Sequence, residues 1–345
     1  MPNTDDGPAT SRSWQPSKAN RTTFRGLVIW QEKAYLFHFC QHEIWLSGSY
    51  CLFRPKGAEG VEGSDVKITI CEFPDEAARK KPAWEALVAH VDRQEPDLVV
   101  LPEMPFCEWI FAADTFDRGL WEKAMAAHDE MIGAFGRLAC KIVMTSRPTE
   151  RNGLRLNEAF IWTKEFGYRP TRSKWYLPDV PAARESLWFD RGNWQFGVTR
   201  HDQLRVGFQL CSEIMFPEHA RDIGLADAHL IVHPRASGAG QRWRAACEMS
   251  AIVSGCYIVS ANRRSYDRSL FTGNSWLFSP DAALLGETSA DKPFVTAEID
   301  LAAAEHAKTT YPRDMQRVYC RSTPAPTPQS TSFSSLQGGK RTSFF

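Results

Sequence analysis

The sequence of 345 residues lacks an uninterrupted apolar run long enough to cross a bilayer, which takes a helix of about 20 residues. Its nearest approach, over 26–53, is broken by charged side chains such as Glu32, Lys33 and Glu43. The N-terminal residues also lack the charged, apolar and small-residue segments of a secretory signal. We therefore expect a cytoplasmic protein that does not act on or in a membrane.

An excess of either charge is also missing. Lys and Arg total 41, Asp and Glu total 41, and the formal net charge is zero. Nucleic acids and anionic membranes are recognised by strongly basic surfaces. The balance argues against such partners, and we expect a small-molecule substrate and no nucleic acid.

Motifs for metals, phosphates and cofactors are absent as well. The sequence contains no CxxC pair, no HExxH and no phosphate-binding loop of the Walker or GxGxxG type. Its nine cysteines are odd in number, scattered and mostly inside apolar runs, which is typical of reduced thiols rather than of a disulfide framework. We expect neither a metal nor a cofactor.

What the sequence does contain is an alternation of short apolar runs and helical patterns between residues 67 and 312. The apolar runs are continuous, as in strands that are covered on both faces by other layers, and this predicts an α/β layered domain. Residues 1–66 form a separate N-terminal extension, in which the aromatic stretch is either a hairpin or unstructured. Residues 313–345 are rich in Ser, Thr, Pro and Gly and are expected to be a largely disordered tail. The predicted strands are 66–73, 97–103, 140–146, 205–210, 228–234 and 256–262, with a hairpin over 157–177 and helices near 75–94, 117–138, 217–225 and 240–255.

Three reactive side chains stand where apolar strands end. Glu103 closes "LVVLPE", Cys211 closes "RVGFQLC", and Lys174 follows the predicted hairpin. Catalytic groups often occupy such positions, because the strand fixes the backbone while the following loop opens a cleft.

These three residue types form a consistent nucleophilic site. A free thiol has a pKa of about 8.5, so it needs a base to attack at neutral pH. A carboxylate in a dry pocket has a raised pKa and accepts that proton. A lysine held cationic by the acid would stabilise the oxyanion that forms when sulfur attacks a carbonyl or nitrile carbon.

The residues after Cys211 predict a tight turn that exposes the thiol to a cleft. Pro217 suits a first helical position, and Glu218 is favourable near the positive end of the helix dipole. Residues 211–216 are then a strand-to-helix elbow, where the backbone N–H near Ser212 is free to bind an oxyanion. We interpret Glu213 as a residue that holds this elbow through backbone bonds. A Cys–His pair with His219 or His233 is the less favoured alternative.

The chain resembles the nitrilase superfamily, the carbon–nitrogen hydrolases, over about residues 67–312. The resemblance rests on blocks that occur in the family's order: "LVVLPEMPF", "RSKWYLP", "ARESLWFDRG", "GFQLCSEIMFPE" and "YIVSAN". It implies a four-layer αββα sandwich and a homodimer or larger homo-oligomer. It also implies that Glu103 is the base, Lys174 the oxyanion stabiliser, Cys211 the nucleophile and Glu185 a supporting acid.

Two features depart from the family's pattern. Glu72 stands where many members carry a Gln, and residues 1–66 have no counterpart in the usual domain.

The expected reaction is hydrolysis of a small amide through a thioester on Cys211. Alternatives are a nitrilase, an N-carbamoyl amino acid amidohydrolase, an acyltransferase, and a non-catalytic scaffold of the same fold. For substrate binding we single out Arg235, which would bind a carboxylate, Ser212 for its backbone N–H, and Trp109. Together with Phe106 and Met215, Trp109 either lines a partly apolar pocket or belongs to the core.

Overall fold

The computed structural model describes residues 65–181, 183–266 and 270–315. The predictions made for residues 1–64 and for 316–345 lie outside the described residues. In chain order the strands are β1 Asp65–Cys71, β2 Phe73–Pro74, β3 Leu98–Val100, β4 Ile142–Arg151, β5 Leu154–Thr163, β6 Gly167–Ser173, β7 Asp179–Val180, β8 Ala183–Arg184, β9 Val198–His201, β10 Leu204–Phe208, β11 Leu230–Arg235, β12 Tyr257–Arg264, β13 Trp276–Phe278, β14 Leu284–Glu287 and β15 Phe294–Asp300. The α-helices are α1 Ala77–Gln94, α2 Arg118–Ala134, α3 Glu185–Trp188, α4 Pro217–Leu225, α5 Gln241–Ser254 and α6 Leu301–Ala307, and single 3-10 turns cover Ile110–Ala112, Phe135–Arg137 and Cys211–Met215.

Most of these strands belong to two mixed sheets. One sheet has the order β15-β1-β3-β4-β5-β6, with β1, β3 and β4 parallel at its centre. The other has the order β14-β13-β12-β11-β10-β9, with β10, β11 and β12 parallel, and β2 adds to β12. Within one sheet, parallel neighbours end at the same edge. Side chains that follow β3 in one sheet, or β10 in the other, therefore lie at the edge where the parallel strands of that sheet end.

Alternate residues of the central strands face two different cores. On β3, Leu98 and Val100 belong to the core between the sheets, whereas Val99 faces α1 and α2. On β11, Leu230 faces the same central core, whereas Ile231 faces α4 and α5. Each fully buried side chain of this kind contributes about 1.5–3 kcal/mol of hydrophobic free energy. The layers are therefore helices, sheet, sheet, helices, and the predicted αββα sandwich is confirmed.

The covering helices form where the sequence pattern places an apolar stripe. On α1 the buried residues are Trp84, Leu87 and Val91, spaced by three and four positions as one helical face requires. Helix α2 begins after Asp117, whose side chain accepts a hydrogen bond from the backbone N–H of Leu120 at 2.9 Å, an N-cap. The predicted helices lie within a few residues of the observed ones.

Candidate active site

The structure brings Glu103, Lys174 and Cys211 into one buried site. Glu103 lies three residues past β3, Lys174 directly follows β6, and Cys211 begins the 3-10 turn after β10. Glu103 and Lys174 are 0% exposed and Cys211 is 4% exposed. The first two come from one sheet and the third from the other, so the site lies where the ends of the two sheets meet.

Lys174 is held between two carboxylates. Its Nζ lies 2.9 Å from Glu103 Oε1, and 2.9 and 2.8 Å from the two oxygens of Glu185. Burial alone would lower the pKa of Lys174, but the charges of Glu103 and Glu185 outweigh it and raise the pKa above the ordinary lysine value. Lys174 is therefore an ammonium group at all moderate pH values.

The two oxygens of Glu103 have different environments. Oε1 accepts hydrogen bonds from Lys174 Nζ and from Asn157 Nδ2, the latter at 2.8 Å. Oε2 is buried and has no hydrogen-bond partner among the described residues. A buried acceptor without a partner costs free energy, and Oε2 is thus the oxygen available to take a proton from a reacting group.

Cys211 lies at a sharp turn of the backbone. Its φ is 45°, in the left-handed region that a non-glycine residue adopts only at a cost of about 1–3 kcal/mol. Burial raises the pKa of its thiol, the charge of Glu103 raises it further, and Lys174 opposes both. At rest the thiol is therefore protonated, and its Sγ donates to the Ala236 carbonyl at 3.7 Å.

Glu213 joins the elbow to the segment that carries Lys174. Its carboxylate accepts from the backbone N–H of Leu210 at 2.8 Å and from that of Trp175 at 2.7 Å, and it pairs with Arg172. All of these partners flank the reactive residues. Glu213 therefore holds the backbone of two site segments in register, as the sequence analysis favoured.

The two histidines considered as partners for Cys211 have other contacts. His233 bonds to the backbone carbonyl of Cys211 through Nε2 and to Ser260 Oγ through Nδ1, each at 3.0 Å. Burial lowers the pKa of His233 to about 3, so it is neutral. The His219 ring bonds to the Tyr176 hydroxyl at 2.8 Å. These contacts favour Glu103 over a histidine as the base.

Arg235 lies at the end of β11 and is 1% exposed. Its guanidinium donates to Ser260 Oγ at 2.9 Å, to Ser237 Oγ and to the Asn274 carbonyl, and it lies over the Trp276 ring. The group is engaged by the protein itself. Its role in binding a substrate carboxylate stays a prediction that these contacts do not support.

The other two predicted binding residues make contacts within the protein. Ser212 Oγ donates to the Tyr176 carbonyl at 2.7 Å, next to the segment of Lys174. Trp109 is 8% exposed, donates its backbone N–H to Asp75 at 3.1 Å and packs edge-to-face on Phe271. Their roles toward a substrate stay predictions.

An apolar cluster adjoins the thiol. It includes Met104, Trp109 and Phe271, with Ala236 packed against it, and the Ala236 carbonyl is the group to which the thiol donates. Phe106, expected in this pocket wall, instead packs in the core under α1 and α2. Likewise Met215 packs beside α4 and α5. Of the three residues named from the sequence, Trp109 lies in the cluster beside the thiol, whereas Phe106 and Met215 take the alternative place in the core.

Within the described ranges, no group of three or more His, Cys, Asp or Glu side chains could hold a metal ion. The helices described in the structure include none with the length and apolar character of a membrane span.

A carboxylate, an ammonium and a thiol thus lie together at the edge of an αββα sandwich, and comparison with known proteins gives the family. The family model described as carbon-nitrogen hydrolase matches residues 74–309. The chain belongs to the carbon–nitrogen hydrolase family. The resemblance to the nitrilase superfamily is thereby confirmed.

Relatives in this family are similar at low identity. A nitrilase of Pyrococcus abyssi is 35% identical over 120 residues, which cover 34% of this chain and 45% of that protein. An N-carbamoylputrescine amidase of Oryza sativa subsp. japonica is 21% identical over 266 residues, or 70% of this chain and 88% of the relative. A Pseudomonas protegens relative, the hydrolase in the pqqF 5' region, is matched over 40% of its length. The match thus spans less than half the length of the Pyrococcus and Pseudomonas proteins.

Solved structures share the fold. A carbon-nitrogen hydrolase from Helicobacter pylori G27 superposes with a TM-score of 0.62 at 21% identity, covering 74% of this chain and 96% of the other. An amidase from Nesterenkonia sp. gives a TM-score of 0.58 at 18% identity, covering 70% and 92%. At these identities the likeness establishes the shared sandwich and leaves the substrate open.

Proposed function

We propose that this carbon–nitrogen hydrolase cleaves the C–N bond of a small amide, with Cys211 as the nucleophile. The observation that carries the proposal is the Lys174 ammonium held between Glu103 and Glu185, with Glu103 Oε2 unpartnered and the thiol within reach of their charges. An acid, an oxyanion stabiliser and a nucleophile thus share one dry site, where electrostatic interactions are strong.

In the first step Glu103 takes the proton of Cys211 Sγ as sulfur attacks the carbonyl carbon. The π electrons of the C=O bond move to oxygen, and Lys174 Nζ and the backbone N–H near Ser212 stabilise the oxyanion. The C=O bond then re-forms and the C–N bond breaks. The departing amine or ammonia takes its proton from Glu103, which leaves a thioester on Cys211.

The second step releases the acid. Glu103 takes a proton from a water molecule, and the resulting hydroxide attacks the thioester carbon. The C–S bond breaks, and the sulfur regains its proton from Glu103. Glu185 supports both steps by holding Lys174 with two hydrogen bonds. Burial raises the pKa of the Glu185 carboxyl, a shift that Lys174 opposes.

Relatives suggest two further substrate classes. The Pyrococcus relative is named a nitrilase, and several plant relatives are named N-carbamoylputrescine amidases. A nitrile would add the same thiol to its triple bond to give a thioimidate, and a carbamoyl compound would be attacked at its ureido carbon. Supplying matched amide, nitrile and carbamoyl compounds and measuring released ammonia distinguishes the three.

The decisive experiment is to weigh the intact protein after brief exposure to substrate. Wild type should gain the mass of one acyl group, and Cys211→Ala should gain none and lose turnover. Cys140→Ala is the matched control, because Cys140 is equally buried, at 4% exposure, and its thiol donates to the Ile142 carbonyl in the outer core. Full turnover by Cys211→Ala would contradict the proposed mechanism.

A further inference from the structure

A buried guanidinium contacts three carbonyls of the loop that carries Glu103. Arg263 Nη1 donates to the Glu103 carbonyl at 3.2 Å and to the Met104 carbonyl, and Nη2 donates to the Cys107 carbonyl at 2.6 Å and to Asp75. Arg263 lies 160 residues from Glu103 along the chain. One side chain from β12 therefore fixes three carbonyls of residues 103–107.

We infer that Arg263 is a positioning residue for the reaction: by clamping these carbonyls it aims the Glu103 carboxylate at the thiol. The inference rests on the proposed function, since it takes Glu103 as the base. Arg263 acts on Glu103 through the backbone and takes no part in the chemical steps.

The backbone next to Glu103 needs such a clamp. Met104 has a φ of 45°, a left-handed conformation that is unfavourable for a non-glycine residue. If the Met104 carbonyl were released, the backbone would relax toward negative φ and turn the adjacent Glu103 side chain away. Arg263 holds the carbonyls on both sides of the Met104 φ and ψ angles.

Burying the Arg263 guanidinium lowers the stability of the fold, and a residue that only fills space would not need a charge. It is 0% exposed, and its guanidinium lies 5.5 Å from the ring centres of both Trp109 and Phe271. Its Nε has no hydrogen-bond partner among the described residues. A buried charge lowers stability unless it is well paired, and an apolar side chain of similar size would often be tolerated better by the fold. The geometry thus points to a role in the site.

The test compares Arg263→Lys with Arg264→Lys. Arg264 is the next residue on β12, and its guanidinium also pairs with a buried carboxylate, that of Glu72. Glu72 in turn accepts from Asn274 and Thr288, away from the Glu103 loop. The two variants therefore remove the same chemical group from neighbouring positions, and only one of them touches the backbone of the proposed base.

Two readouts separate positioning from stability. The first is kcat and KM on an amide substrate, beside the melting temperature. The second is the rate at which iodoacetamide alkylates Cys211 as a function of pH, followed by peptide mass. Arg263→Lys should lose about 10²-fold in kcat with little change in KM, because misplacing a catalytic group by about 1 Å has that effect. Its alkylation should slow at each pH, because the displaced Glu103 no longer takes the thiol proton as sulfur attacks, whereas Arg264→Lys should keep the wild-type profile at a similar melting temperature.

Equal losses of kcat and equal alkylation profiles in the two variants would overturn the inference and leave Arg263 a structural residue. If wild type hydrolyses no amide, the proposed function fails, but the alkylation profiles still test the positioning. If Arg263→Lys does not fold, Asp75→Asn decides, since it keeps an oxygen for Trp109 but removes the charge that pairs with Arg263. An unchanged alkylation profile and kcat in Asp75→Asn would then count against the inference.

Discussion

Lys174 is the residue whose charge is most completely enclosed by other charged groups of the site. With 0% exposure, it separates the carboxylates of Glu103 and Glu185. The two acids would otherwise face each other in a medium of low dielectric constant, where like charges repel strongly. The ammonium is thus as important for folding as for the proposed chemistry.

Replacing this ammonium should destabilise the protein in a pH-dependent way. Lys174→Met should lose about 3–5 kcal/mol near neutral pH, because removing one partner of a buried ion pair leaves uncompensated charge. Burial raises the pKa of Glu185 to about 7 and Lys174 opposes that rise, so the Glu185 carboxylate of the variant lacks its counter-charge. A carboxyl whose folded-state pKa is raised loses stability as the pH rises above its unfolded-state pKa, so the penalty is smaller at pH 5 than at pH 8.

Urea unfolding of wild type and variant at pH 5 and pH 8, followed by circular dichroism, measures this difference. Lys164→Met, at an exposed position in the β5–β6 turn, serves as the control. A destabilisation of Lys174→Met that is equal at both pH values would contradict the assigned ion-pair arrangement.

At the level of residues, the sequence predicted reactive groups that follow strands but missed those inside them. Glu103 and Cys211 are candidates because each ends an apolar run, and Lys174 is a candidate because it follows the predicted hairpin. Asn157 lies within a strand pattern, and its partner Glu103 is 54 positions away. Arg263 likewise lies within a strand, and its partner Glu103 is 160 positions away. The polar character of both residues is visible in the sequence, whereas the carbonyl or carboxylate that each of them binds is set by tertiary packing.

At the level of elements, the elbow depends on how closely α4 packs on α5. A Cβ added to Gly224 on α4 would lie 2.2 Å from the Ser254 carbonyl oxygen at the end of α5. That oxygen belongs to the backbone, so the clash can be relieved only by moving a helix. Because α4 starts two residues after the turn that begins with Cys211, such a shift would also move Cys211.

We expect Gly224→Ala to reduce the free energy of unfolding by about 1–3 kcal/mol, the range typical of overpacking. Gly136→Ala is the control, since an added Cβ there meets no atom within 4 Å. Thermal unfolding of the two variants measures the difference. Equal melting temperatures would show that the α4–α5 contact is looser than described.

Element boundaries were predictable where the sequence carries a specific signal. Helix α4 begins at the predicted Pro217 and ends at the predicted residue 225. By contrast, β4 extends to Arg151, well past the predicted end at residue 146, because it forms a long hairpin with β5. Its turn is Asn152–Gly153, both with positive φ, which is the favoured pair for a two-residue hairpin. The signal was present but was masked by the charged residues of the exposed strand end.

At the level of the whole molecule, two neutral histidines lie in the interior. His128 bonds to the Ala124 carbonyl at 2.7 Å and accepts from the Phe106 N–H, and His233 supports the Cys211 backbone. Burial lowers the pKa of each to about 3. The unfolded chain, with histidine pKa values of about 6.5, therefore binds protons that the folded chain does not.

Stability should accordingly fall as the pH drops from about 6.5 toward 3, by up to about 1.4 kcal/mol per pH unit for each histidine. His128→Gln should reduce this slope, and the exposed His306→Gln should leave it unchanged. Urea titrations at pH 4.5, 5.5 and 6.5 give the slopes. An identical slope in His128→Gln and wild type would mean that His128 is charged in the folded protein.

The sequence predicts which segments form strands and helices more readily than it predicts how many layers these elements build. Continuous apolar strands such as β3 and β11 indicate burial on both faces, but they do not reveal that their inner residues share one core. That pairing of sheets follows from long-range packing, and only the resemblance to the family supplied it in advance.

The division of the site between the sheets has a consequence for the life of the molecule. Glu103 and Lys174 follow strands of one sheet, whereas Cys211 follows a strand of the other. A chain in which the two sheets have not yet packed together therefore holds the carboxylate–ammonium pair and the thiol apart. Assembly of the complete site is thus tied to the final packing step of the sandwich.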